Sequence, residues 1–240
     1  MMRSLKRFAG AGAFAFAMSS AAFAAVHYNN VETADGATYV SLYSAGTDYA
    51  KVDVLDNTRR RALLSWRTRT GSGNDYAAGV GWGNVAKPRN LYYSIESWKQ
   101  YSTGDGVVFG AYGWSCNDPG QLNVEFYITE SWFQSNQFVP YDNLLKGSVA
   151  TSHGTYDVYV SGAYNRAQRC TNGRDFQQVW AVRRGKRSVG TTNVRLEFTT
   201  IMNKMDDYAW FKSTYPYLVM GMDGFPGSSG DVTLREVQKD

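Results

Sequence analysis

This sequence predicts an all-β fold, a β-sandwich or jelly roll with one amphipathic helix, and three observations carry the prediction. Short runs rich in Val, Tyr and Leu recur along the chain, each bounded by Gly, Asn, Asp or Arg turn signals. Side chains alternate within them, most clearly in Leu122 to Glu130, where Val124, Phe126 and Ile128 share one face, expected to pack, and Asn123, Glu125, Tyr127 and Thr129 the other, expected to look out. Residues 25–240 also fit one domain, since all-β units often run to about 200 to 250 residues, and no linker, low-complexity tract or repeat interrupts them.

In chain order, residues 1–24 form a separate device. Arg3, Lys6 and Arg7 precede an apolar run from Phe8 to Met18, and Ala22-Phe23-Ala24 supplies a small-x-small cleavage site, the pattern of a secretory signal peptide. After a polar entry segment, strands are expected at Ala37 to Tyr43, Ala50 to Leu55, Ala62 to Trp66, Leu91 to Ile95 and Gly106 to Trp114. The series continues at Leu122 to Glu130, Gly147 to Thr151, Thr155 to Ser161 and Phe176 to Arg183. Val194, Phe198, Ile201, Met202 and Met205 then recur at helical spacing and predict an amphipathic helix docked on a sheet. Strands at Tyr215 to Met222 and Asp231 to Val237 flank a Gly-rich loop, Gly224 to Gly230, that is expected to carry Asp223.

Composition narrows the function. Of 25 basic residues three lie in the leader, which leaves 22 against 21 acidic ones, so the mature chain is nearly neutral and offers no argument for nucleic acid. The clusters Arg59-Arg60-Arg61 and Arg183 to Arg187 read as solvated turns. Nothing after Ala25 approaches the roughly 20 apolar residues of a membrane span, so a soluble, exported protein is expected. In an exported chain a disulfide is favoured over two free thiols for Cys116 and Cys170. Two Cys and two His are too sparse for a zinc site, and no cofactor is called for.

Aromatic residues make up 15% of the chain. Trp66, Phe126 and Phe198 fit a core, but Tyr127, Tyr217 and Phe225 share the parity of Glu125 or Asp223, and Tyr112 and Trp114 share one on the neighbouring strand. Aromatic rings beside carboxylates suit sugars, whose C–H faces stack on rings. A glycosidase needs two carboxylates across the bond to be cut, and Glu125 and Asp223 are candidates by facing and surroundings. His27 and His153 lie in no nucleophile-elbow motif, and Gly221-Met222-Asp223-Gly224 lacks the spacing of a phosphate loop.

Four ordered motifs add a resemblance. Tyr112-Gly113-Trp114 followed by Val124-Glu125-Phe126-Tyr127, then Tyr156-Asp157-Val158-Tyr159, then Phe176 to Arg183, then Asp223-Gly224-Phe225 with Ser228-Ser229-Gly230, resemble the family 11 glycoside hydrolases. These are β-jelly-roll endo-1,4-β-xylanases. The resemblance implies two packed, curved antiparallel sheets, xylan as substrate, a monomer, Glu125 as nucleophile and Asp223 as acid/base. It puts Gln178 beside the nucleophile, Tyr43 where a stacking Trp is usual, and Asp75 against the acid/base. Tyr112, Tyr127, Tyr217 and Phe225 complete the expected substrate contacts. The family's thumb loop falls at Tyr164 to Asp175 and contains Cys170, so a bridge to Cys116 would tie thumb to cleft strand if the Cα atoms come within about 7 Å.

The chain departs from the pattern at Asp223 (usually Glu), Phe225 (usually Tyr), Ala163 (usually Arg) and Ala167-Gln168-Arg169 in the thumb. Losing a methylene draws the acid back by about 1.5 Å. Retaining enzymes separate their carboxyls by about 5 to 5.5 Å and inverting ones by roughly 6.5 to 9.5 Å, so the change reaches the border between the classes. A carboxyl at Asp75 would share a proton with Asp223, which in the family accompanies an acidic pH optimum. The departures leave two alternatives open: a non-catalytic or weakly active carbohydrate-binding relative, and a glycosidase of altered specificity.

Overall fold

The computed structural model describes residues 25–28, 30–134, 138–140, 143–164, 170, 175–188 and 190–240. The leader read over residues 1–24 and most of the expected thumb, including Ala167-Gln168-Arg169, lie outside them. The chain runs through β1 (Val26–Tyr28), β2 (Val31–Asp35), β3 (Thr38–Ala45), β4 (Thr47–Asp56), β5 (Arg61–Thr68), β6 (Asp75–Ala86), β7 (Leu91–Thr103) and β8 (Val107–Ser115). It continues through β9 (Asn123–Trp132), β10 (Asn143–Thr151), β11 (Gly154–Tyr164), β12 (Phe176–Arg183), β13 (Val194–Leu196), α1 (Phe198–Met205), β14 (Thr214–Gly224) and β15 (Ser228–Lys239).

These strands form two sheets, as a jelly roll requires. One holds nine strands in the order β10-β11-β12-β9-β8-β14-β6-β3-β2, the other six in the order β1-β4-β5-β15-β7-β13. Neighbours are antiparallel except β12 and β9, which run parallel. Between the sheets lies the main core, with Leu64, Trp66, Tyr76, Val80, Phe109, Phe126, Ile128 and Met220 buried. The other face of the larger sheet carries two further clusters, one around Tyr127, Trp180 and Val182 and one around Trp114, Phe176 and Tyr217.

The helix lies against β10, β11 and β12 and buries Phe198, Ile201, Met202 and Met205. Burying each such side chain stabilises by about 1.5–3 kcal/mol. It starts later than its periodicity suggests, because Val194 belongs to β13 and pairs with Tyr93 on β7. The carboxylate of Glu197, at the N-cap, makes no cap bond and instead accepts from the Ser152 backbone N–H at 3.0 Å.

Three other expectations change. No strand is expected at Asp75–Ala86, yet β6 occupies it and pairs with both β14 and β3. The strand contains Gly79, Gly81 and Gly83; a Cβ on Gly81 would stand 2.1 Å from the Leu218 carbonyl oxygen and one on Gly79 2.7 Å from that of Met220. Glycine there admits a close approach of β14. Asp223 is not in a loop but within β14, opposite Ala77 and Val108. Finally, the polar face of β9 does not meet open solvent, since every residue from Asn123 to Trp132 is buried.

The arginine clusters are more than solvated turns. Arg60 stacks over Trp82 at 4.6 Å and its Nε donates to the Gly81 carbonyl at 3.0 Å. Arg187 is ion-paired through Nε with Glu130, which is fully buried and also accepts from Tyr93 at 2.8 Å and from Tyr156. No sequence pattern announces this network.

Candidate active site

β8 is the centre of the site, because β9 with Glu125 flanks it on one side and β14 with Asp223 on the other. Strand alternation aims Tyr112 and Trp114 at the same face as Glu125, which stands opposite Trp114. On the far side of β9, the parallel register sets Gln178 level with Glu125.

Glu125 is 8% exposed, and burial pushes its carboxyl above the usual range. Three donors oppose that shift. Gln178 Nε2 donates to Oε2 at 2.7 Å, while the hydroxyls of Tyr112 and Tyr127 donate to Oε1 at 2.9 Å and 3.0 Å. Bonds to the charged form favour it, so this carboxylate is desolvated yet held ready to ionise.

Asp223 has a different environment. It is 6% exposed and lies well above the ordinary carboxylate range, first through burial, then through the charge of Asp75 and a hydrogen bond with it, then through Glu125. Asp75 on β6 is two residues from Ala77, the direct partner of Asp223, which makes it a diagonal cross-strand neighbour. A hydrogen bond between two carboxyl groups requires a proton on one of them. Tyr127 also bonds Asp223 and so touches both carboxyls, while Ala77, Tyr112, Tyr127, Thr129, Gly221 and Asp223 line a small pocket beside them.

Aromatic rings build the walls. Tyr127 stacks on Trp180 with centroids 3.6 Å apart and 3° between the planes. Tyr217 lies 5.8 Å from Tyr112 and stacks on Tyr39 at 5.7 Å. Phe225 follows β14 and stacks on Phe138 at 6.0 Å, and Phe138 reaches Trp180 at 5.4 Å. Tyr43 is 39% exposed on β3 and pairs with Ala77, in the same cross-strand row as Asp223.

Thus Glu125, Asp223, Asp75, Tyr112, Tyr127, Gln178 and Tyr217 come together, with Tyr43 and Phe225 at the margins. Ala163 pairs with Gln177 beyond an irregularity in β11. Sequence reasoning missed Trp180 and Tyr39, although each shares the parity of a residue it selected, Gln178 and Tyr43. Phe138 carries no such signal, because it lies in a loop. Cys116 and Cys170 are disulfide-bonded with Cα atoms 5.3 Å apart, and the bridge packs beside Trp114 and Phe176. Among the described residues no group of three or more His, Cys, Asp or Glu is arranged to hold a metal ion.

Two carboxyls with different surroundings suit acid and base roles in one reaction. The sequence pattern of Glycosyl hydrolases family 11 matches residues 35–235. Endo-1,4-beta-xylanase 3 of Pyricularia oryzae is 30% identical over 200 residues, 80% of this chain and 75% of that one. Endo-1,4-beta-xylanase 11A of Humicola insolens is 27% identical over 206 residues, 85% of this chain and 83% of that one. In fold, the family 11 xylanase from Neocallimastix patriciarum superposes with a TM-score of 0.68 at 18% identity, covering 90% of this chain and 95% of that one.

Proposed function

The chain belongs to glycosyl hydrolase family 11 and is a glycoside hydrolase, and from that premise we propose that it is an exported endo-1,4-β-xylanase that retains anomeric configuration. Glu125 attacks the anomeric carbon, while Asp223 protonates the departing glycosidic oxygen. Asp223 then takes a proton from the water that hydrolyses the glycosyl-enzyme, returning sugar and free Glu125. Tyr112, Tyr127 and Gln178 hold the nucleophile ionised, Asp75 holds the proton on the acid, and Tyr43, Tyr217 and Phe225 contact sugar.

The observation that supports this most is the contrast between the two carboxyls. Glu125 meets three donors, whereas Asp223 meets another carboxyl. Export is supported by the leader pattern and by the disulfide, which persists in oxidising compartments.

Incubation with xylan should release reducing xylo-oligosaccharides of retained configuration, most rapidly on the acid side of neutral, and Glu125→Gln should abolish release. No release over a broad pH range would remove the proposal, and an optimum above neutrality would remove the shared proton from it. The stack of Phe138 on Phe225, with a tilted contact from Phe138 to Trp180, also supports a second reading, altered specificity, because it adds an apolar wall beside the acid. A panel of xylan, β-glucan and cellulose separates the two.

A further inference from the structure

Trp114 is buried, and its indole N–H must find an acceptor. The acceptor is the hydroxyl of Tyr112, at 2.8 Å, which itself donates to Glu125 at 2.9 Å. We propose that Trp114 is a positioning residue for Glu125, acting through Tyr112 by fixing where that hydroxyl points its single proton. The proposal rests on reading Glu125 as the nucleophile.

A phenol has one proton to donate and two sites at which to accept. Three groups surround the Tyr112 oxygen: the Trp114 N–H, the Tyr217 hydroxyl and the Glu125 carboxylate. An indole N–H is a donor only, so towards Trp114 the Tyr112 oxygen accepts. The carboxylate is an acceptor only, so the proton goes there. Trp114 thus supplies the donation that turns the Tyr112 proton away from the indole, and it polarises the O–H towards Glu125.

Trp114 is well placed to hold this arrangement. It follows Tyr112 by two residues on one strand face and stands opposite Glu125. Its ring packs 4.9 Å from Phe176, in a cluster that includes Cys170 and Cys116. The bridge therefore secures the ring that directs the proton. A buried indole also packs, and that role alone has no need of the Tyr112 hydroxyl.

A double-mutant cycle tells the two roles apart. In the full chain, Trp114→Phe, Tyr112→Phe and the pair are compared by kcat and KM on a soluble xylo-oligosaccharide, and by carbon NMR titration of the Glu125 carboxyl. Trp114→Phe is expected to lower kcat about two- to fivefold with KM unchanged and to move the Glu125 titration upward. In the Tyr112→Phe background it should change neither. Equal effects in both backgrounds, or an unmoved titration when Tyr112 is present, overturn the proposal. If Trp114→Phe does not fold, benzothienylalanine at position 114 keeps the bicyclic ring and removes only the N–H. The titration needs no turnover, so failure of the xylanase reading would remain distinct from failure of this one.

Discussion

Gln178→Met removes both N–H donors while keeping the length and much of the volume of the side chain, which isolates the bond to Glu125 Oε2. That bond, at 2.7 Å, is the largest influence opposing the rise that burial causes in Glu125. Hydrogen bonds to charged groups contribute about 1.5–3 kcal/mol. Gln178 is half-buried, so water replaces part of the loss and the lower figure applies. About 1.4 kcal/mol is a factor of about ten in the proton affinity of Glu125.

The sign follows from the cycle of protonation. Attack requires ionised Glu125, so the acid limb of kcat/KM reports its titration in the free enzyme. Losing a donor raises that titration, and the acid limb moves to higher pH. The alkaline limb, set by the proton on Asp75 and Asp223, should stay in place. Stability at neutral pH should fall by about 1–2 kcal/mol, roughly 2–8 °C in melting temperature for a chain of this size. The raised folded-state titration makes that deficit largest above the titration of Glu125, and it closes as pH falls through it. Hydrolysis of a chromogenic xylobioside from acid to alkaline pH, with thermal unfolding over the same range, measures both. An acid limb that stays put or moves to lower pH would refute the reasoning.

Other perturbations probe the scaffold. Replacing Cys116 and Cys170 together by Ser frees a loop spanning 54 positions, and loop-closure entropy sets the loss at about 4 kcal/mol, visible as a large fall in melting temperature in calorimetry. Gly81→Ala puts a methyl 2.1 Å from the Leu218 carbonyl oxygen, so β6 and β14 must part; soluble yield should collapse, whereas Gly162→Ala, with open space around it, should be tolerated. Arg187→Met leaves the buried Glu130 charge uncompensated and should cost about 3–5 kcal/mol in denaturant unfolding. Glu130→Gln in the same chain should restore part of that.

The sequence reading was strongest where one strand or one helix carries its own period. Alternation in β9 located Glu125 and separated it from Phe126, and the apolar spacing of Phe198, Ile201, Met202 and Met205 located α1. It failed at β6, where glycines that local rules treat as breakers exist to let another strand approach. It also failed at the solvent exposure of β9, because a local pattern distinguishes faces but not what covers them. Trp180 and Phe138 cover this one, from β12 and from a loop.

By itself, then, the sequence determined the strand-forming alternation, the apolar core, the face that carries Glu125 and the two cysteines available to pair. Only the tertiary structure decided that β14 lies beside β8 and β6, which brings Asp223 and Asp75 together and sets both against Glu125. The physical reason is that strand order is a non-local choice. Each strand's period is satisfied by many neighbours, and only the packed sheet selects among them, fixing which carboxyl is bonded by donors and which by another acid.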